Sequence, residues 1–217
     1  QRVLQTLIQP LADDCMRPWP WPACAPLALD CSALQKHSNE LQPYLVRSWL
    51  ARLQVRAPSS AWWQQLQQVV HAADDAQPQL QTGAWQLRQH KGCLYLIASE
   101  WLLQRFPQPQ RISTDDVSLP VWAGTELALR SAPNGLLPGE YQLMHAGACT
   151  HLSIRQSGRP SKRLNALLQE AGVPAPLRPY WPVLLQDDQL CAVAGIAVAE
   201  HRCITGGQML YWGQALA

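Results

Sequence analysis

SGRPSKRLNALLQEAGVPAPLRPYWP, residues 157–182, holds the clearest helical signal in the sequence and its densest run of cations. Leu164, Leu167, Leu168 and Ala171 recur at i, i+3, i+4 and i+7, the spacing of an apolar helical stripe. Ser161 is the expected N-cap, Gly172 the expected stop, and Pro174 forbids continuation. Arg159, Lys162 and Arg163 crowd the helix start, and Arg178 follows its end. No acid lies between Glu140 and Glu170, so the segment is a local positive field. At 100° per residue Lys162 projects away from the stripe and Arg163 lies at its flank. Cations at a helix N-terminus oppose the macrodipole, and a docked anion, commonly phosphate, relieves that conflict. The competing reading is a solvated basic face, tolerated at a cost of roughly a few tenths of a kcal/mol.

Working outward, the flanking sequence reads as β-rich. Residues 125–130 alternate, 141–145 and 149–156 are expected to pair across a glycine turn, and 183–186 to pair with 189–193 across Asp187-Asp188. In His151-Leu152-Ser153-Ile154-Arg155 the apolar residues point one way, which puts Arg155 on the other face with His151 and Ser153. Tyr211-Trp212 is expected to close the sheet.

Upstream the period changes. Residues 1–16 read as a helix, and Pro18-Trp19-Pro20-Trp21-Pro22 as an extended linker, favoured over a proline-rich ligand for a partner domain. Helices are expected at about 40–53, capped by Ser38 or Asn39 with Pro43 in the first turn, and after Pro58, capped by Ser59 or Ser60. A loop at 74–78 ends the second. Residues 79–89 alternate, Lys91-Gly92 is a hairpin turn, and 93–97 returns. Residues 41–73 carry Arg47, Arg52 and Arg56 with no acid, a second positive window that Arg88 joins. The expected class is α+β: a connector helix and Pro/Trp linker at 1–26, a small helical domain with a β-hairpin at 27–108, and a β-rich domain carrying one basic helix at 109–217.

A length of 217 residues suffices for one or two cores, and 47% apolar content is ordinary for a globular chain. Net charge is +2 and the isoelectric point about 8.2, below the value above 9 usual for a dedicated nucleic-acid binder. Ten Trp against one Phe and five Tyr are expected mostly in the core. Seven Cys form no even framework and no CxxC pair, so reduced thiols are expected. His145, Cys149 and His151 could offer three metal ligands but lack a fourth nearby, and no metal site is assigned. The start at Gln1 lacks the features of a signal peptide, and the longest apolar run, 191–199, is about half a membrane span. The expectation is a cytoplasmic chain with no membrane contact, cut from something longer.

Catalytic motifs are missing. There is no GxxxxGK[ST], no GxGxxG after a strand, no Ser-Gly-Gly-x-Asp-Ser and no GxSxG. The acid pairs at 13–14, 74–75, 115–116 and 187–188 are adjacent residues whose side chains diverge. No catalytic residue and no cofactor-binding residue is assigned.

The order of several segments resembles the C-terminal half of bacterial tRNA(Ile)-lysidine synthetases. The segments are Ser161-Lys162-Arg163-Leu164, 169–174, Leu177-Arg178, 182–185 and 192–195, preceded by 46–50, Pro58-Ser59, 75–78, 83–88 and 94–97. The later group is similar to the family's last domain, a β-rich module also seen in phenylalanyl-tRNA synthetase β chains, and the earlier to its helical substrate-binding domain. Leu11-Ala12-Asp13-Asp14 resembles the connector from the catalytic domain. The resemblance implies an ATP-dependent ligase that adenylates the wobble cytidine of a minor isoleucine tRNA and attaches lysine. ATP with Mg would sit in an N-terminal PP-loop domain that these residues do not include. Family basic positions fall on Lys162, Arg163 and Arg178, while Asn165 stands where relatives often carry Lys. The implied role is tRNA binding through Arg155, Arg159, Lys162, Arg163 and Arg178, with Arg47, Arg52, Arg56 and Arg88 on a second surface. The alternative is a docking module for the catalytic domain or a second copy of the chain.

Overall fold

The computed structural model describes residues 2–56, 60–70 and 78–213, which fall into two units, Gln1–Leu103 and Gln104–Ala217. In the first, α1 (Arg2–Cys15) leads into strand β1 (Met16–Pro18), which pairs antiparallel with β2 (Leu27–Asp30). The start of the expected linker is therefore an edge strand, a position where proline's missing N–H is tolerated. Asp30 closes β2 and caps α2 (Cys31–Gln35). It accepts from the Ala33 N–H at 3.0 Å and from the Ser32 hydroxyl at 2.7 Å. At five residues this helix is too short for periodicity to reveal.

Helices α3 (Gln42–Arg52) and α4 (Ser60–Val70) follow the expected stripes. Pro43 sits in the first turn of α3, but the N-cap is Leu41. The carbonyl of Ser38, not its side chain, receives the Leu41 and Gln42 N–H groups. Pro58, Ser59 and all of the loop at 74–78 except Pro78 lie outside the described residues. The alternating run then splits into β3 (Gln79–Thr82) and β4 (Trp85–His90), because Gly83 at φ +60° turns the chain. The Lys91-Gly92 turn forms as expected, with φ of +47° and +71°, and returns β5 (Cys93–Ala98) along β4. The result is a five-stranded antiparallel sheet, β1-β2-β5-β4-β3, with helices beside it, rather than two helices and a hairpin. Leu29, Leu34, Leu45, Trp49, Leu87 and Leu94 are fully buried in its core. Trp49 donates to the Leu27 carbonyl at 3.1 Å and Trp62 to the Thr82 hydroxyl at 3.0 Å, so both large rings are buried without an orphaned N–H.

The second unit contains β6 (Gln110–Ser113), β7 (Leu127–Leu136), β8 (Glu140–His145), β9 (Ser153–Ile154), β10 (Lys162–Arg163), α5 (Leu164–Glu170), β11 (Pro182–Gln186), β12 (Gln189–Val193), β13 (Ala197–Val198), β14 (Cys203–Thr205) and β15 (Gln208–Trp212). Five form one antiparallel sheet, β13-β12-β11-β8-β6. The β11–β12 hairpin is as expected, with Asp187 and Asp188 both at positive φ. The expected pairing of 141–145 with 149–156 does not form. Both edges of β8 are taken by β11 and β6, and residues Ala146–Cys149 make a 3₁₀ turn instead. Strand β9 pairs with β10. Tyr211 and Trp212 close no part of the main sheet. Strands β14 and β15 run along β7 in one continuous register, Cys203 opposite Leu136 and Trp212 opposite Leu127, as a separate ribbon. Trp122, Trp181 and Trp212 are buried, and each donates its N–H to a backbone carbonyl at 2.8–3.1 Å. No disulfide links the cysteines, and no described helix is long and apolar enough to cross a membrane.

Candidate nucleic-acid interface

The stretch 157–182 folds differently at its start from the periodicity. Lys162 and Arg163 are not helical: they form β10, opposite Ile154 and Ser153. The Leu164 N–H bonds to the Leu152 carbonyl at 3.1 Å. Arg163, not Ser161, is the N-cap, with φ −63°, ψ 142° and no side-chain hydrogen bond. Pairing with β9 has overridden a cap preference worth only about 1 kcal/mol. Helix α5 is seven residues long and contains no basic residue, so the expected basic helix is a basic strand leading into a helix whose one charge is the Glu170 carboxylate. The dipole argument for an anion at its N-terminus lapses. Its apolar stripe and C-terminus are as expected: Leu164 and Leu168 are fully buried. Gly172 takes φ +79°, and the Val173 N–H bonds back to Leu168 at 3.0 Å, a Schellman closure.

Within the second unit the five candidate cations are divided among separate sites. Arg163 and Arg178 border one cleft of about 530 Å³ with Thr150, Asn165, Gln169 and Gly147, and no carboxylate lines it. Arg178 is anchored there by an Nε–H donated to the Val173 carbonyl at 2.9 Å. Lys162 is turned to the Glu170 carboxylate, whose pKa that hydrogen bond lowers. Arg155, beyond the end of β9, pairs with Glu200 at 3.1 Å. Exposed Arg159 lines a different cleft. In the first unit, Arg47 lies over the Trp63 ring at 4.9 Å and the Tyr44 ring at 5.8 Å. Arg52 pairs with Asp13 at 2.9 Å. Arg88 donates to Gln86 at 2.7 Å and Gln79 at 3.0 Å, and Arg56 is exposed just past α3.

The sequence alone does not single out Arg130. Arg130 lies 5.2 Å over the Tyr211 ring. Its place at an exposed position of an alternating run was a hint, but the aromatic partner comes from a ladder spanning some 80 residues, which no local pattern reports. His145 stacks on Phe106, with ring centroids 4.5 Å apart, and burial pushes the Cys149 thiol up. Among the described residues no group of three or more His, Cys, Asp or Glu side chains is placed to hold a metal ion. A third cleft, with Arg111, Glu140, Asp187 and Asp188 on its walls, is acidic and unsuited to phosphate.

Residues 29–95 match the TilS substrate binding domain, and residues 150–212 the TilS substrate C-terminal domain. The chain is 33% identical over 168 residues to the tRNA(Ile)-lysidine synthase of Photobacterium profundum, covering 75% of the chain and 38% of that protein. Against the tRNA(Ile)-lysidine synthase of Pseudomonas aeruginosa it is 32% identical over 195 residues, covering 89% and 42%. Against that of Chromobacterium violaceum the values are 32% over 202 residues, 86% and 44%. The chain spans about two fifths of the length of these relatives. With matches to two domains of one family over more than half of its residues, the chain belongs to the tRNA(Ile)-lysidine synthase family.

Proposed function

We propose that these residues hold the minor isoleucine tRNA while a separate PP-loop catalytic domain of the same protein ligates lysine to its wobble cytidine, in the cytoplasm. The observation that carries this reading is the carboxylate-free cleft between Arg163 and Arg178, within the segment that matches the family's C-terminal domain. Guanidinium forks suit phosphate oxygens, and such contacts fix the register of a protein on nucleic acid without reading its bases. The Thr150, Asn165 and Gln169 side chains beside them add neutral hydrogen-bonding groups suited to the 2′-hydroxyls of A-form RNA. ATP with Mg is assigned to the separate catalytic domain, and no step through it is assigned to these residues. Catalysis is assigned to no residue of this chain.

The test is filter binding of isoleucine tRNA to the 217-residue chain. An Arg163→Ala/Arg178→Ala variant is expected to bind at least tenfold more weakly, since hydrogen bonds to charged groups contribute about 1.5–3 kcal/mol each. Unchanged affinity in a folded double variant would sink the reading.

A second reading, a docking module, is favoured by Leu7 and Leu11, exposed one turn apart on α1 at 65% and 36%. Its occupant is the catalytic domain or a second copy of this chain. Light scattering that reports a strict monomer removes the second-copy form of it.

A further inference from the structure

Building on the RNA-binding reading, we infer that the outer face of the β7–β15 ribbon, with the cleft at its edge, binds an unpaired stretch of an RNA strand by base stacking. The face follows from register. Arg130 is opposite Met209 and Ala128 opposite Tyr211, so all four side chains project to one side of the ribbon. Arg130 is exposed and its guanidinium lies 5.2 Å over the Tyr211 ring. Guanidinium planes and aromatic rings are the surfaces on which unpaired bases stack, and this exposed face carries one of each.

The adjoining cleft continues this surface. It measures about 560 Å³, within the roughly 300–1,000 Å³ span of small-ligand sites. Met209 belongs to both. Ile196, Val198 and Met209 give it an apolar floor for a base, Asn134 and Gln156 supply amides for a base edge, and Arg159 supplies a charge for phosphate. Neither Arg130 nor Arg159 forms an ion pair among the described residues, and no carboxylate lines the cleft. A strand of alternating bases and phosphates matches this sequence of stacked guanidinium, apolar floor and cation. A duplex does not, because its bases are already stacked on one another. This face is therefore distinct in ligand from the Arg163–Arg178 cleft, which suits the backbone of a paired stem.

The experiment measures binding of two probes to the 217-residue chain: fluorescein-labelled hexa-adenylate by anisotropy, and isoleucine tRNA by filter retention. Arg130→Ala and Arg130→Lys are both expected to weaken hexa-adenylate binding by roughly 5- to 150-fold, the loss that removing one stacking surface produces. Arg163→Ala/Arg178→Ala is expected to keep hexa-adenylate binding within about twofold while losing tRNA. Urea unfolding of each variant separates lost binding from lost fold. If Arg130→Lys binds as well as the parent, or tripolyphosphate competes as well as unlabelled hexamer, charge alone acts and stacking is overturned. If the parent chain retains tRNA but not hexa-adenylate, this inference fails and the RNA-binding reading survives. If it retains neither, both fail.

Discussion

Asp30 ends a strand, starts a helix and faces a cation. Its carboxylate accepts from the Ser32 hydroxyl and the Ala33 N–H, and Arg17 lies 3.6 Å away. The Ser32 and Ala33 bonds, with a smaller contribution from Arg17, hold its pKa below the ordinary 3.8. A carboxylate with a lowered folded pKa contributes stability above pH 3.8, and that contribution is lost as the pH falls through the folded value. Asp30→Ala is expected to lower stability at pH 7 by about 1 kcal/mol, as lost caps do. Urea midpoints at pH 7 and pH 2.5 should show the gap between parent and variant closing at the lower pH. This cap was illegible in the sequence because α2 is a single turn and a half. By contrast Gly172, Lys91-Gly92 and Asp187-Asp188 were legible, since each takes a backbone conformation that only a few residue types accept readily. Ser161 misled because its competitor was a strand partner some ten residues upstream, not a local alternative.

At the scale of elements, the ribbon of β7 with β14 and β15 is held by close backbone approach. A Cβ on Gly135 would lie 2.2 Å from the Gly207 carbonyl carbon and 2.3 Å from the Gln208 nitrogen. Neither neighbour is a flexible side chain that can swing aside. Gly135→Ala is therefore expected to cost about 1–3 kcal/mol or more, the range of overpacked sites, measured as a shift in urea midpoint without a change in slope. Gly139→Ala, where the added carbon meets nothing within 4 Å, is a less crowded comparison, though its φ of +156° adds backbone cost. The elements themselves were mostly legible. Helices α3 and α4, the β4–β5 turn and the β11–β12 hairpin lie where alternation and period put them. Their partners were not, since β8 joining β6 and β11, or β1 joining β2, depends on which edges remain open after the core forms. The Arg130–Tyr211 stack was hidden for the same reason, and with it half of the proposed strand-binding face.

Across the whole molecule, the class α+β and the density of cations in the second unit were readable, but not which cations are available. Among the described residues, Arg52 holds Asp13, Arg155 holds Glu200 and Lys162 holds Glu170. This bears on how the protein should respond to salt. A free cation that meets a phosphate releases small ions, and each such contact steepens the fall of log affinity with log salt by roughly 0.7–0.9. A paired cation releases only a carboxylate that remains tethered to the same chain, so no particle is set free. The salt slope for tRNA should therefore leave out the cations that hold a carboxylate. Glu170→Gln is expected to steepen it by just under one unit and to raise affinity at low salt, read from binding isotherms across a potassium chloride series. An unchanged slope would mean that Lys162 never meets RNA. In the folded chain the Glu170 carboxylate already occupies the place of the counterion that a phosphate would displace.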